Sequence, residues 1–126
     1  MYRVLLIDDQ PIFRDIIRAM LDKAGGFEVV AERADGTQAL VSYEEVLPDA
    51  VIMDVQMPLM NGFEAVGNIL EFDSQAVIIL TSMKQDVEYE RLAREAGVAA
   101  FYSKRHLDVE VVRELVEQRH RQALAA

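Results

Sequence analysis

Four short apolar runs, Val4–Ile7, Ala50–Met53, Ala76–Leu80 and Val98–Tyr102, show neither a helical nor an alternating period. Runs of this length, rich in Val and Ile, suit strands covered on both faces, as in a parallel sheet. A fifth segment, Phe27–Ala34, alternates more and reads as an edge strand. From approximate starts at 4, 28, 50, 76 and 99, the five recur every 22–26 residues. That interval holds one helix and two loops, which is what a parallel connection requires.

The segments between the runs carry helical spacing. Ile12, Ile16 and Met20, with Phe13, Ile17 and Leu21, form two i, i+4 rows expected on one buried face. Phe63, Val66, Ile69 and Leu70 repeat the pattern, as do Val109, Val112 and Val116 with Val111 and Leu115. Residues 85–96 offer a thinner set, Val87, Leu92, Ala93 and Ala96, so a helix there is weakly anchored and suited to movement. Gly25-Gly26, Asp35-Gly36, Leu47-Pro48-Asp49, Asn61-Gly62 and Ala96-Gly97 punctuate the boundaries. The expectation is an α/β chain, a single (βα)5 doubly wound parallel sheet filling residues 1–126, with its core at about 2–120.

At 126 residues one domain is the default. Thirteen Lys and Arg against 22 Asp and Glu leave a net charge of −9, which argues against phosphate-backbone binding to nucleic acid by this segment. The absence of cysteine excludes disulfides, thiolate metal sites and cysteine nucleophiles. No apolar run approaches the ~20 residues needed to cross a bilayer, and two aspartates by residue 9 argue against a signal peptide. A cytoplasmic location without membrane contact is expected.

The residues that follow the runs are more informative. The first run ends in Asp8-Asp9, the third strand in Asp54, the fourth in Thr81-Ser82, and Lys104 lies just beyond the fifth. In an open parallel sheet all carboxyl ends share one edge, where ligands bind. Three carboxylates, a hydroxyl and an ammonium are thus delivered to one place. Carboxylates so close repel unless a proton or cation relieves them. With oxygen donors only, the suitable cation is hard, Mg2+ or Ca2+. A phosphoryl group is the natural guest beside such an ion, a hydroxyl and a lysine. Each residue also has an ordinary explanation: Asp9 before Gln10-Pro11 as a helix cap, Asp54 as a loop residue ahead of Pro58, Thr81 and Ser82 as capping hydroxyls, Lys104 as a solvated lysine.

Taken together, Asp8-Asp9, Ile52-Met53-Asp54-Val55-Gln56-Met57-Pro58 with Asn61-Gly62, Leu80-Thr81-Ser82 and Lys104 resemble the receiver domain of two-component response regulators. The resemblance covers about residues 2–120. It implies a flavodoxin-like fold with strand order 2-1-3-4-5. It also implies a phosphoprotein switch: Asp54 accepts a phosphoryl group from a histidine kinase or a histidine phosphotransfer protein. Asp9 and Asp54 would then ligate Mg2+, with Mn2+ or Ca2+ able to substitute, Gln56 would give its backbone carbonyl, and Asp8 would act largely through water. Thr81 would donate to the phosphoryl oxygens and Lys104 would pair with them. Phe101 matches the aromatic switch position, although an ordinary core aromatic is an equal reading there.

Two departures from the family pattern stand out. Arg105 follows the lysine where relatives commonly have proline, so the Lys104-Arg105 bond is expected to be trans, or else a cis bond stabilised by local strain. Gln56 and Met83 occupy the two positions that tune phosphate lifetime, and the apolar Met83 implies slow to moderate self-dephosphorylation.

The rival function is a Mg-dependent aspartyl-phosphate phosphatase. It needs an acid two residues after its nucleophile to protonate the leaving group, and position 56 is Gln. The expectation is a signalling switch that catalyses only its own phosphorylation and dephosphorylation. Its output would pass through the face built by the fourth helix, fifth strand and fifth helix, by docking to a downstream protein, by a tethered output domain, or by homodimerisation. With a last helix expected near 107–120, the sequence given leaves no room for a DNA-binding domain.

Overall fold

The apolar runs become the strands of one parallel sheet in the computed structural model, which describes residues 1–125 (Ala126, the last residue of the expected domain, lies outside the described residues). The strands are β1 (Tyr2–Ile7), β2 (Phe27–Arg33), β3 (Ala50–Asp54), β4 (Ile78–Ser82) and β5 (Ala100–Ser103), in the order β2-β1-β3-β4-β5. Five helices connect or follow them: α1 (Pro11–Ala24), α2 (Ala39–Val46), α3 (Gly62–Phe72), α4 (Val87–Ala96) and α5 (Val109–Ala125). The expected fold class and strand order are those observed.

The lack of period in the central runs follows from burial on both faces. Leu5, Ile7, Val51, Met53, Ile78 and Leu80 point toward a cluster with Tyr43 of α2, Val66 and Ile69 of α3 and Ala93 of α4. The alternate residues Val4, Leu6, Ala50, Ile52 and Ile79 meet Ile17 and Leu21 of α1 and Val112 and Val116 of α5. Strand side chains alternate between faces, so a strand with helices on both sides must be apolar throughout. All five residues of β3 are buried. Each Val, Ile or Met so buried contributes about 1.5–3 kcal/mol.

Three sequence expectations are corrected. Only one of the two α1 rows is buried: Ile17 and Leu21 reach the core, whereas Ile12 and Ile16 are 65% and 45% exposed. A helix lying on a sheet buries a single stripe, and the second row falls outside it. The fourth strand starts later than Ala76 and carries Thr81 and Ser82 as its last two residues, paired with Tyr102 and Ser103 of β5. The last helix runs Val109–Ala125 rather than 107–120, because Lys104–His106 form a separate 3-10 turn before it. The thin anchoring of α4 is as expected, with Ala93 its one buried residue and Val87 80% exposed. Among the described residues no peptide bond is cis, Lys104-Arg105 included, and no helix is long and apolar enough to cross a membrane.

Candidate functional site

Because every strand runs the same way, the carboxyl ends of β1, β3, β4 and β5 converge on one edge. Asp8 follows β1 and is buried. Its Oδ1 accepts from the Gln10 backbone N–H at 2.9 Å, and its carbonyl accepts from the Arg14 guanidinium. Asp54 closes β3, 4% exposed, directly opposite Thr81 in the register of β4. The Asp54 Oδ1 accepts from the Gln56 backbone N–H at 3.3 Å, and Thr81 Oγ1 donates to the Met53 carbonyl at 3.4 Å.

Lys104 reaches back over this edge. Its Nζ lies 2.7 Å from Asp8 Oδ2 and 3.5 Å from Asp54 Oδ2, with the lysine side chain only 2% exposed. Gln10 Oε1 accepts from the same ammonium at 3.4 Å, and the Phe13 ring covers it with the centroid 4.1 Å away. Phe13 and Gln10 were not singled out from the sequence. Phe13 is indistinguishable there from the other apolar residues of α1, and its place over the ammonium depends on a chain segment more than 90 residues away.

One carboxylate oxygen from each of Asp8, Asp9 and Asp54 lies within 4.8 Å of the other two. Against these acids stands one ammonium. Burial, reinforced by the Asp8 charge and opposed by Lys104, pushes the Asp54 carboxyl up to about 6. The buried Asp8 Oδ2 has no aligned hydrogen-bond donor, only the Lys104 charge beside it. An all-oxygen donor set with an unsatisfied buried oxygen fits a hard divalent cation.

The ordinary explanations fail in the structure. Gln10, not Asp9, occupies the cap position of α1, and it makes no side-chain capping bond. The α4 helix is capped by Asp86, leaving Thr81 and Ser82 within their strand. Asp54 ends a strand rather than sitting in a loop, and Lys104 is not a solvated lysine.

The β3–α3 loop is pinned closely to the site. A Cβ on Gly62 would lie 2.6 Å from the Asp54 carbonyl oxygen and 2.9 Å from Val55 Cα, so no side chain fits there. From this loop the exposed Gln56 extends its amide to α4, where Nε2 donates to the Tyr89 hydroxyl at 2.9 Å. Tyr89 is a further residue that the sequence did not announce. Met83, 50% exposed, follows β4. Phe101 is half-buried against the cluster that includes Ala93 of α4, while Tyr102 packs on the opposite face toward α5.

Residues 4–117 match the family model described as the response regulator receiver domain. The chain belongs to this family. It is 41% identical over 103 residues to the chemotaxis protein CheY of Bacillus subtilis, covering 82% of this chain and 85% of the relative. It is 38% identical over 108 residues to a protein-glutamate methylesterase/protein-glutamine glutaminase of Alkalilimnicola ehrlichii, covering 85% of this chain. It spans only 28% of that relative's length. Among solved structures, a CheX-CheY-BeF3-Mg2+ complex from Borrelia burgdorferi superposes with a TM-score of 0.76 at 28% identity, covering 93% of this chain and 87% of that one. As a receiver domain the chain is a component of two-component signalling, and the acidic strand-end cluster lies within the matched span.

Proposed function

We propose that the receiver acts as a phosphorylation switch, with Asp54 as its phosphoacceptor and a phosphohistidine on a kinase or phosphotransfer protein as the donor. The observation that carries this reading is the buried Asp54 carboxylate, with Lys104 Nζ at 3.5 Å and Thr81 directly opposite. With its carboxyl near 6, Asp54 is mostly ionised at neutral pH and can attack phosphorus. One carboxylate oxygen bonds to phosphorus as the phosphorus–nitrogen bond breaks, its electron pair passing to the donor imidazole. The Lys104 ammonium and the Thr81 hydroxyl then face the phosphoryl oxygens, supplying charge and a donor where the transferred group rests.

Asp9 and Asp54 would hold Mg2+ (or Mn2+ or Ca2+), with the Gln56 carbonyl as a further ligand and Asp8 acting through water. The bound ion would neutralise phosphoryl charge as it develops. The Borrelia burgdorferi relative, solved with BeF3 and Mg2+, supports this assignment.

Thr81 now donates to the Met53 carbonyl. Turned toward a phosphoryl oxygen, it would vacate space near β5 and let the Phe101 ring, half-buried against the core cluster, turn inward. That motion would remodel the α4–β5–α5 face for docking to a downstream protein or tethered output domain, or for homodimerisation. The unit is a single receiver domain filling residues 1–126, with its core at about 2–120, that turns over no external product. The phosphatase alternative is disfavoured by the Gln at 56 and by the receiver match. Met83 gives a slow to moderate loss of phosphate, having no group to orient water.

Incubation with Mg2+ and acetyl phosphate followed by intact-mass measurement tests the reading. One phosphoryl group is expected on the wild type and none on Asp54→Asn or in excess chelator. Undiminished incorporation in Asp54→Asn would overturn the assignment.

A further inference from the structure

The Gln56–Tyr89 contact is, among the described residues, the only side-chain hydrogen bond between α4 and the β3–α3 loop. Tyr89 is held at its backbone and at its ring. Its backbone N–H, in the first turn of α4, donates to the Asp86 cap at 3.1 Å. Its ring stands edge-on to Phe63 of α3, with centroids 5.8 Å apart. The hydroxyl is therefore held over a groove of about 550 Å³ that opens beside Asp9, lined also by Val55, Phe63 and Leu92. Gln56, by contrast, is exposed, and its amide makes no other side-chain bond. A flexible amide is thus parked by a rigid ring on the helix with the thinnest apolar anchor in the fold.

The geometry points to Tyr89 as a positioning residue that holds the Gln56 amide away from the phosphorylated Asp54, so that the placement of α4 sets how long the acyl phosphate survives. This rests on the reading of Asp54 as phosphoacceptor. Hydrolysis forms a bond from a water oxygen to phosphorus and breaks the bond from phosphorus to the Asp54 oxygen. The electron pair stays on the carboxylate, and the water protons leave with orthophosphate and to solvent. A released Gln56 is free to turn toward that water, accept its hydrogen bond through Oε1 and align it, whereas the bond from Nε2 to Tyr89 ties the amide to α4. Any partner that holds α4 in its present place prolongs the phosphorylated state, and one that displaces α4 shortens it.

A double-mutant cycle tests the coupling. Tyr89→Phe keeps the ring against Phe63 and removes only the hydroxyl. After loading with acetyl phosphate and Mg2+, and removal of the donor, the loss of phosphate is followed by intact mass. The Tyr89→Phe protein is expected to lose it about three- to tenfold faster, the range a single hydrogen bond supports. Adding Gln56→Ala to Tyr89→Phe is expected to return the slow rate. In the unphosphorylated protein, the 15N–1H signal of the Gln56 side-chain amide should shift in Tyr89→Phe while the Phe63 ring signals stay put. An unchanged lifetime in Tyr89→Phe, or acceleration that persists with Gln56→Ala, overturns the proposal while leaving the phosphoacceptor reading intact. A wild type that gains no phosphate overturns both.

Discussion

Lys104 Nζ approaches Asp8 Oδ2 to 2.7 Å but stays 3.5 Å from Asp54 Oδ2. The ammonium is thus committed chiefly to Asp8, which has no other partner for that oxygen. Removing one member of a buried pair leaves the other charge uncompensated, at a cost of about 3–5 kcal/mol.

Lys104→Met is therefore expected to lower the stability of the metal-free protein by about 3 kcal/mol. It is also expected to enlarge the rise in Tm on adding Mg2+, because the ion becomes the only counter-charge to three acids. Thermal melts with and without Mg2+, for wild type and variant, check both. A metal-free Tm equal to wild type would mean that Lys104 contributes no net charge compensation.

The raised Asp54 carboxyl predicts a pH dependence with a definite sign. Near pH 4 the unfolded chain begins to release a proton that the folded chain keeps until about pH 6. Metal-free stability should then fall as pH rises through that window and level off above it. Asp54→Asn has no such proton. The Tm difference, variant minus wild type, should grow by a few degrees between pH 4 and 6.5 in EDTA, and a flat difference would contradict the burial effect.

A ligand that binds only the folded state stabilises it by about 2.7 kcal/mol at one hundred times its Kd. Saturating Mg2+ should raise Tm by several degrees, and Asp9→Asn should remove most of that increment. Calorimetric melts across a Mg2+ titration would read it directly. Equal increments in wild type and Asp9→Asn would exclude Asp9 as a ligand.

Gly62→Ala places a methyl against the Asp54 carbonyl oxygen and Val55 Cα. Overpacking of this kind costs about 1–3 kcal/mol. Since the nearest crowded atom is the backbone carbonyl oxygen of the acceptor residue, phosphorylation by acetyl phosphate should also slow. A variant with wild-type Tm and phosphorylation rate would show that the loop yields without cost.

The strands and the strand-end acids were legible because both are local signals: a two-sided strand must be apolar throughout, and polar residues ending such a run stand out. Interactions that join distant segments were not. Phe13 looks like any other apolar residue of α1 until the loop after β5 brings Lys104 over its ring. Tyr89 carries no signal of its own in the sequence, because the role of its ring depends on Phe63 and Gln56, 26 and 33 residues earlier. The two α1 rows, apolar alike, were separated only by the position of the sheet. The start of α5 moved because the 3-10 turn at Lys104–His106 takes up residues that period alone leaves unassigned.

The slight attachment of α4, a ten-residue helix with Ala93 as its one buried side chain, separates two demands on the molecule. Charged residues facing outward from α4, Glu88, Arg91 and Glu95 among them, can be exchanged without disturbing the sheet that aligns Asp8, Asp54, Thr81 and Lys104. The surface that distinguishes one listener from another is thereby free to diversify, while the chemistry beneath it stays the same.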